Sequence, residues 1–115
     1  MNVETIGKIC ESLPNVEKEI KWKSDLAFMV GRKMFCIYDL ESYPPSAAFK
    51  VPTEDFEELS AQMYFKPAPY FAQHHWVTVV DLEKVPPADL QRHIETSYRL
   101  VKAKLSKKVL KDIKP

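Results

Sequence analysis

The sequence predicts an α+β fold, an antiparallel β-sheet with helices packed on one face. Three observations lead there. Two apolar runs, Leu26-Ala27-Phe28-Met29-Val30 and Met34-Phe35-Cys36-Ile37-Tyr38, flank Gly31-Arg32-Lys33, the pattern of a β-hairpin closed by a three-residue loop. Strand-like segments lie on either side of this hairpin. Apolar residues at helical spacing mark both ends of the chain. Hairpin-linked strands with helices at the ends form an α+β layer.

Val3, Ile6, Cys10 and Leu13 recur at helical spacing, so residues 2–12 are expected as a first helix that stops before Pro14. Gly7 inside it costs about 1 kcal/mol relative to alanine. Val16, Ile20 and Trp22 alternate with Glu17, Glu19, Lys21 and Lys23, which predicts a half-buried edge strand. After the hairpin, Ala47 to Val51 follows Pro44-Pro45 as another short strand. Thr53 is the expected N-cap of a helix reaching about Met63, with Glu54 and Asp55 in its first turn and Phe56, Leu59 and Met63 as its apolar marks.

The segment Lys66-Pro67-Ala68-Pro69-Tyr70-Phe71-Ala72-Gln73-His74-His75-Trp76 is a stiff connector, because each proline fixes φ and removes a donor. Trp76 to Leu82 reads as a strand of strong β propensity. Val85-Pro86-Pro87 ends it, and Pro87 suits the first turn of a last helix striped by Leu90, Ile94, Tyr98, Val101 and Leu105. The expected order is α-β-β-β-β-α-β-α.

A chain of 115 residues fits one domain, residues 1–115, with a basic C-terminal end from about residue 106. No apolar run approaches a membrane span, and Met1-Asn2-Val3-Glu4 lacks a basic region leading into an apolar stretch. Cys10 and Cys36 form no CxxC and are expected as reduced, partly buried small hydrophobes. A cytoplasmic location, no membrane contact and a monomer are the expectations. Net charge is only +1, but Arg99, Lys102, Lys104, Lys107, Lys108, Lys111 and Lys114 face a single acid, Asp112, after residue 98. The rest of the chain is therefore net negative. Such an end is either an electrostatic footprint for a polyanion or a solvated helix end whose lysines complement the dipole.

With only Gly7 and Gly31, the chain holds neither a P-loop nor a GxGxxG fingerprint, and no GxSxG elbow surrounds a serine. No catalytic residue, cofactor or enzyme activity is expected. Asp81 reads as a strand-terminating cap. His74 and His75 are adjacent, and neighbours in an extended chain face opposite ways, so they do not suit one metal ion. One is expected to pack under the sheet edge and the other to face solvent. Among the aromatic residues near the connector, Phe65, Phe71 and Trp76 are expected to seal the core. Tyr70 is equally suited to sealing or to stacking on a base. Arg32 and Lys33 at the hairpin tip are either a basic wing or simply a wet turn.

Taken together, several segments resemble the MmcQ/YjbR family, small bacterial proteins described as predicted DNA-binding proteins with a double-wing motif. They are Leu13-Pro14, Trp22, the hairpin Phe28 to Phe35, Phe49-Lys50-Val51, Lys66-Pro67-Ala68-Pro69-Tyr70, His75-Trp76-Val77, Asp81-Leu82, Glu95 to Leu105 and Lys107-Lys108. The likeness runs from Leu13 to about Lys108. It implies a fold like that of frataxin (CyaY-type) and type III secretion-chaperone proteins, together with DNA binding. The expected contacts are Arg32 and Lys33 on one wing, Lys66, Tyr70 and His74 on the second, and Arg99, Lys102, Lys104, Lys107 and Lys108 along a basic last helix. His74 stands where a basic residue is common in the family. A second expectation is a chaperone-like adaptor that binds a protein partner through the exposed sheet face and the Tyr70 loop. A third, iron handling by analogy with frataxin, meets a first helix whose only acids are Glu4 and Glu11, with Lys8 between them.

Overall fold

The computed structural model describes residues 2–69 and 71–113. Helix α1 (Val3–Glu11) begins where the Asn2 side chain accepts the Thr5 N–H, an N-cap that satisfies one of the helix's orphan donors. Six strands follow: β1 (Val16–Lys21), β2 (Asp25–Val30), β3 (Lys33–Asp39), β4 (Ser46–Lys50), β5 (Phe65–Pro67) and β6 (Trp76–Val79). They form one antiparallel sheet in the order β1-β2-β3-β4-β6-β5. Helix α2 (Phe56–Ser60) precedes β5, while α3 (Pro87–Ala103) and α4 (Lys107–Ile113) close the chain.

Side-chain alternation sorts the sheet into two unlike faces. Phe28, Val30, Tyr38, Ala47, Phe49, Val77 and Val79 turn toward Ile6 and Cys10 of α1 and Leu90, Ile94 and Val101 of α3, and these make the main core. Phe56 and Leu59 of α2 and Val109 and Leu110 of α4 join it from the same side. The expected α+β layer with helices on one face is therefore the observed one. Among the described residues the α-helices leave the opposite face open, and a small cluster lies there, Ile37, Ala68 and Trp76, with Phe71, Met34 and Ala48 against it. Phe71 and Trp76 thus pack on the open face instead of sealing the main core.

The central hairpin differs from its expected form. Gly31 and Arg32 make a two-residue turn with φ of +55° and +66°, both left-handed as a type I′ turn requires, and Val30 pairs directly with Lys33. The odd residue sits farther in: Met29 faces Met34 and Phe28 faces Cys36, so Phe35 is a bulge in β3. Ser97, fully buried on α3, serves this irregularity. Its hydroxyl donates to the Phe35 carbonyl at 2.6 Å and accepts the Lys50 N–H at 2.9 Å, just beyond the last β3–β4 pair, Cys36 and Phe49.

Other boundaries are corrected too. β1 ends at Lys21, and Trp22 and Lys23 form a left-handed turn in which the Trp22 side chain is 60% exposed. Thr53 makes no cap hydrogen bond; it opens a 3-10 turn (Thr53–Asp55) after Pro52, and α2 stops at Ser60, with Met63 exposed. Tyr64, at φ +72°, then turns the chain into β5, a strand the sequence reading missed inside the proline connector. Pro67 is tolerated there because β5 is the sheet edge. Asp81 caps as expected, accepting the Glu83 N–H at the start of a 3-10 turn, although β6 itself ends at Val79. The last helix is two helices broken at Lys104 to Ser106. Cys10 and Cys36 are free thiols, both fully buried. Among the described residues, no helix is long and apolar enough to cross a membrane.

Candidate nucleic-acid interface

The turn of the central hairpin is pressed onto the corner between α3 and α4. A Cβ at Gly31 would lie 2.7 Å from Leu105 Cδ1 and 2.8 Å from Val109 Cγ1, so glycine is required for space as well as for its left-handed φ. This packing puts the turn that carries Arg32 and Lys33 at the same end of the fold as the corner that carries Lys104, Lys107 and Lys108. Ser106 forms the bend into α4, its hydroxyl accepting the Val109 N–H at 3.2 Å and its carbonyl the Leu110 N–H at 2.9 Å. Lys107 and Lys108 lie in the first turn of α4. There they oppose the helix dipole, so the solvated-helix-end reading does not account for them.

Lys50 completes the group, and the sequence reading did not include it. Alternation in β4 puts Ala47 and Phe49 in the core and Lys50 on the open face, a signal available from the sequence pattern alone. Its ammonium donates to the His74 carbonyl at 3.1 Å. Burial first, and the Lys104 charge second, hold its pKa below the usual lysine value. The second expected wing therefore reaches this end of the sheet through its backbone. His74 itself is exposed and His75 half-buried, the division expected of the pair, although the chain there is not extended. His75 adopts φ +63°, with Nδ1 3.2 Å from Thr53 Oγ1 and its ring edge-on to Phe56 at 5.4 Å. No cluster of three His, Cys, Asp or Glu side chains suited to a metal occurs among the described residues.

The remaining expected contacts are not gathered here. At about 100° per residue, Lys102 and Lys104 project from opposite flanks of the buried stripe of α3 and Arg99 from its outer face. Lys102 lies over the Tyr98 ring at 5.6 Å, and the Tyr98 hydroxyl donates to the Pro14 carbonyl at 2.6 Å, placing both on the α1 side. Arg99 Nη2 donates to Thr96 Oγ1 at 3.2 Å. Lys66 sits on edge strand β5 opposite Thr78 and faces a cleft in the open sheet. Tyr70 lies outside the described residues. The assembled group is thus Arg32, Lys33, Lys50, Lys104, Lys107 and Lys108, flanked by His74. The ion pairs among the described residues are Lys18–Glu11, Lys21–Glu19 and Arg92–Asp89, and none uses a member of that group.

These features define a single-sheet α+β protein with a helix-backed core and a cationic end. A family model described as YjbR matches residues 11–100, and the chain belongs to the YjbR family. It is similar to the Deinococcus radiodurans protein DR2400, whose family-model domain is DUF419. The two are 28% identical with a TM-score of 0.87, over 97% of this chain and 87% of that one. A Pseudomonas syringae protein, a Northeast Structural Genomics Consortium target, shares the fold with 18% identity and a TM-score of 0.72. That likeness spans 87% of this chain and 98% of the other. No curated protein matches the chain.

Proposed function

We propose that this chain is a non-enzymatic nucleic-acid-binding module that grips the phosphate backbone of DNA with its cationic end. One observation carries the reading: the Gly31 turn and the α3–α4 corner pack together, and the cations these two elements carry have no carboxylate partner among the described residues. Phosphates supply the missing counter-charge, and release of their condensed ions drives association. Arg32 and Lys33 form the first wing, the His74 segment flanks it through Lys50, and Lys104, Lys107 and Lys108 form the floor. Arg99, Lys102 and Lys66 lie off this path.

Fluorescence anisotropy with labelled duplex and single-stranded oligonucleotides at several salt concentrations tests the reading. If four or five phosphates are neutralised, affinity falls about 100- to 1,000-fold between roughly 50 and 200 mM salt. Absence of binding at the lowest salt refutes the proposal. So does binding that survives replacement of Lys104, Lys107 and Lys108 by glutamate. Partners retained from a pull-down at high salt would favour a protein-binding adaptor instead.

A further inference from the structure

The open face of the sheet holds a cleft of about 630 Å³ on the side away from the helices. That volume suits a small organic ligand, and the walls have the composition of a ligand site: mostly apolar, with a few placed polar groups. Ile37 and Ala48 lie in its floor, on adjacent strands and in register. Two rings shape one side. Phe71, from the loop after β5, lies 5.6 Å from Trp76, and Trp22, from the β1–β2 turn, meets it at 6.3 Å with the planes inclined by 49°. Trp22 is held at φ +50° with most of its surface in water. Its contact with Phe71 leaves most of a large apolar ring open to a ligand in the cleft.

At one end of the cleft Asp25 and Asp39 stand directly opposite each other on β2 and β3. Like charges at that spacing repel. Asp39 Oδ1 accepts the Glu41 N–H at 2.9 Å, which fixes its carboxylate but brings no positive charge. Lys21 is the cross-strand neighbour of Asp25, yet its ammonium lies 2.7 Å from Glu19. Burial, and then the Asp39 charge, raise the Asp25 pKa, the direction expected of a carboxylate without a cation beside it. Lys66 lines the far flank, three strand spacings or about 14 Å from β3, too distant to neutralise the pair directly.

We infer that this cleft binds a small organic cation, an amine or guanidine with a flat apolar body, whose charge lies between Asp25 and Asp39 and whose body lies along Trp22 and Phe71. The chemistry is charge complementarity at one end and ring stacking or cation–π contact along the side. This site is separate from the cationic end, and its ligand is of opposite charge.

The test is an NMR titration of the ¹⁵N-labelled full chain with tryptamine, using tryptophol and indole-3-propionate as its neutral and anionic counterparts. Tryptamine is expected to give saturable shifts at Trp22, Asp25, Asp39 and Thr78, and to bind about tenfold more tightly than either counterpart. Asp39→Asn keeps the oxygen that accepts the Glu41 N–H, so the fold is retained, and it lowers tryptamine affinity about tenfold. Trp22→Ala, at an exposed position, does the same. A Lys107→Glu/Lys108→Glu variant leaves tryptamine binding unchanged, which separates this site from the nucleic-acid reading. Equal binding of the three indoles overturns the inference, as does tryptamine affinity unaffected by Asp39→Asn, or shifts confined to the cationic end.

Discussion

Ser97→Ala removes one oxygen and strands two backbone groups, one buried and one part-buried. The hydroxyl donates to the Phe35 carbonyl at 2.6 Å and accepts the Lys50 N–H at 2.9 Å, and Ser97 has no exposed surface. A buried donor or acceptor left without a partner costs about 1–3 kcal/mol. Two such groups, with some relief as the strands draw together, give a loss of about 2–4 kcal/mol. Unfolding entropy of about 2.1 cal/mol/K per residue over 115 residues is about 0.24 kcal/mol/K, so the melting temperature should fall by about 8–16 °C. Urea unfolding followed by circular dichroism measures the loss, with an unchanged slope showing that the native state stays compact. Thr96→Ala is the control: its hydroxyl meets only the exposed Arg99 side chain, and the change should stay within about 0.5 kcal/mol. A loss below about 1 kcal/mol for Ser97→Ala would mean that the two strands pair without the bridge, and the reasoning would fail.

Gly31→Ala should destabilise by about 1–3 kcal/mol, since its Cβ would meet Leu105 and Val109 on a left-handed backbone, and should weaken oligonucleotide binding by displacing α4; melting and anisotropy measure the two effects. Single replacement of Lys104, Lys107 or Lys108 by alanine should reduce the salt slope of duplex binding by about 0.9 each, while Arg99→Ala and Lys66→Ala leave it unchanged. His93 stacks on Phe49 at 5.4 Å, and burial, more than the neighbouring Arg92 charge, lowers its pKa. Its folded pKa is depressed, so the unfolded chain takes up the proton first: stability is full above pH 6.5 and falls as pH drops below it toward the folded value. Urea titrations across this range should show the fall in the parent chain and its reduction in His93→Gln. The neighbouring Cys36 thiol, and then burial, push the Cys10 thiol far above its ordinary value, and both cysteines are fully enclosed, so a thiol reagent at pH 8 should label neither until the chain unfolds.

The parts of this fold that repeat a period were legible in the sequence. The stripe of α3 and the alternating core residues of β4 and β6 each report their own burial. The parts that depend on another element were not. β5 has three residues, one of them proline, and it exists because β6 offers a free edge. α4 is a separate helix, and the Gly31 turn packs against Leu105 and Val109 on either side of the break. The same contact assembles the cationic end. Spacing along α3 could have shown that Lys102 and Lys104 diverge, but nothing local said that Arg32 would meet the corner. Lys50 was legible by parity and was overlooked because a single lysine in a strand has no distinctive pattern.

A single inserted residue links the core to the open face. Without the bulge at Phe35, the pairing of Val30 with Lys33 would continue to Asp25 with Tyr38, and Asp39 would have no carboxylate opposite it. The extra residue advances β3 by one position, so Asp25 faces Asp39, and Ile37 and Asp39 fall on the open face. It also displaces the Phe35 carbonyl from the ladder, and Ser97 reaches in from α3 to pair it. The like-charge pair is then a consequence of a register that the buried serine helps to hold. A bulge that only relieved strain in the hairpin would not need to place two carboxylates face to face in a cleft. Deleting Phe35 separates these roles: Cys36 then follows Met34 directly, a regular hairpin keeps Asp39 opposite Asp25, and tryptamine binding at the cleft should persist in a chain that still folds, although the carbonyl that Ser97 pairs is gone.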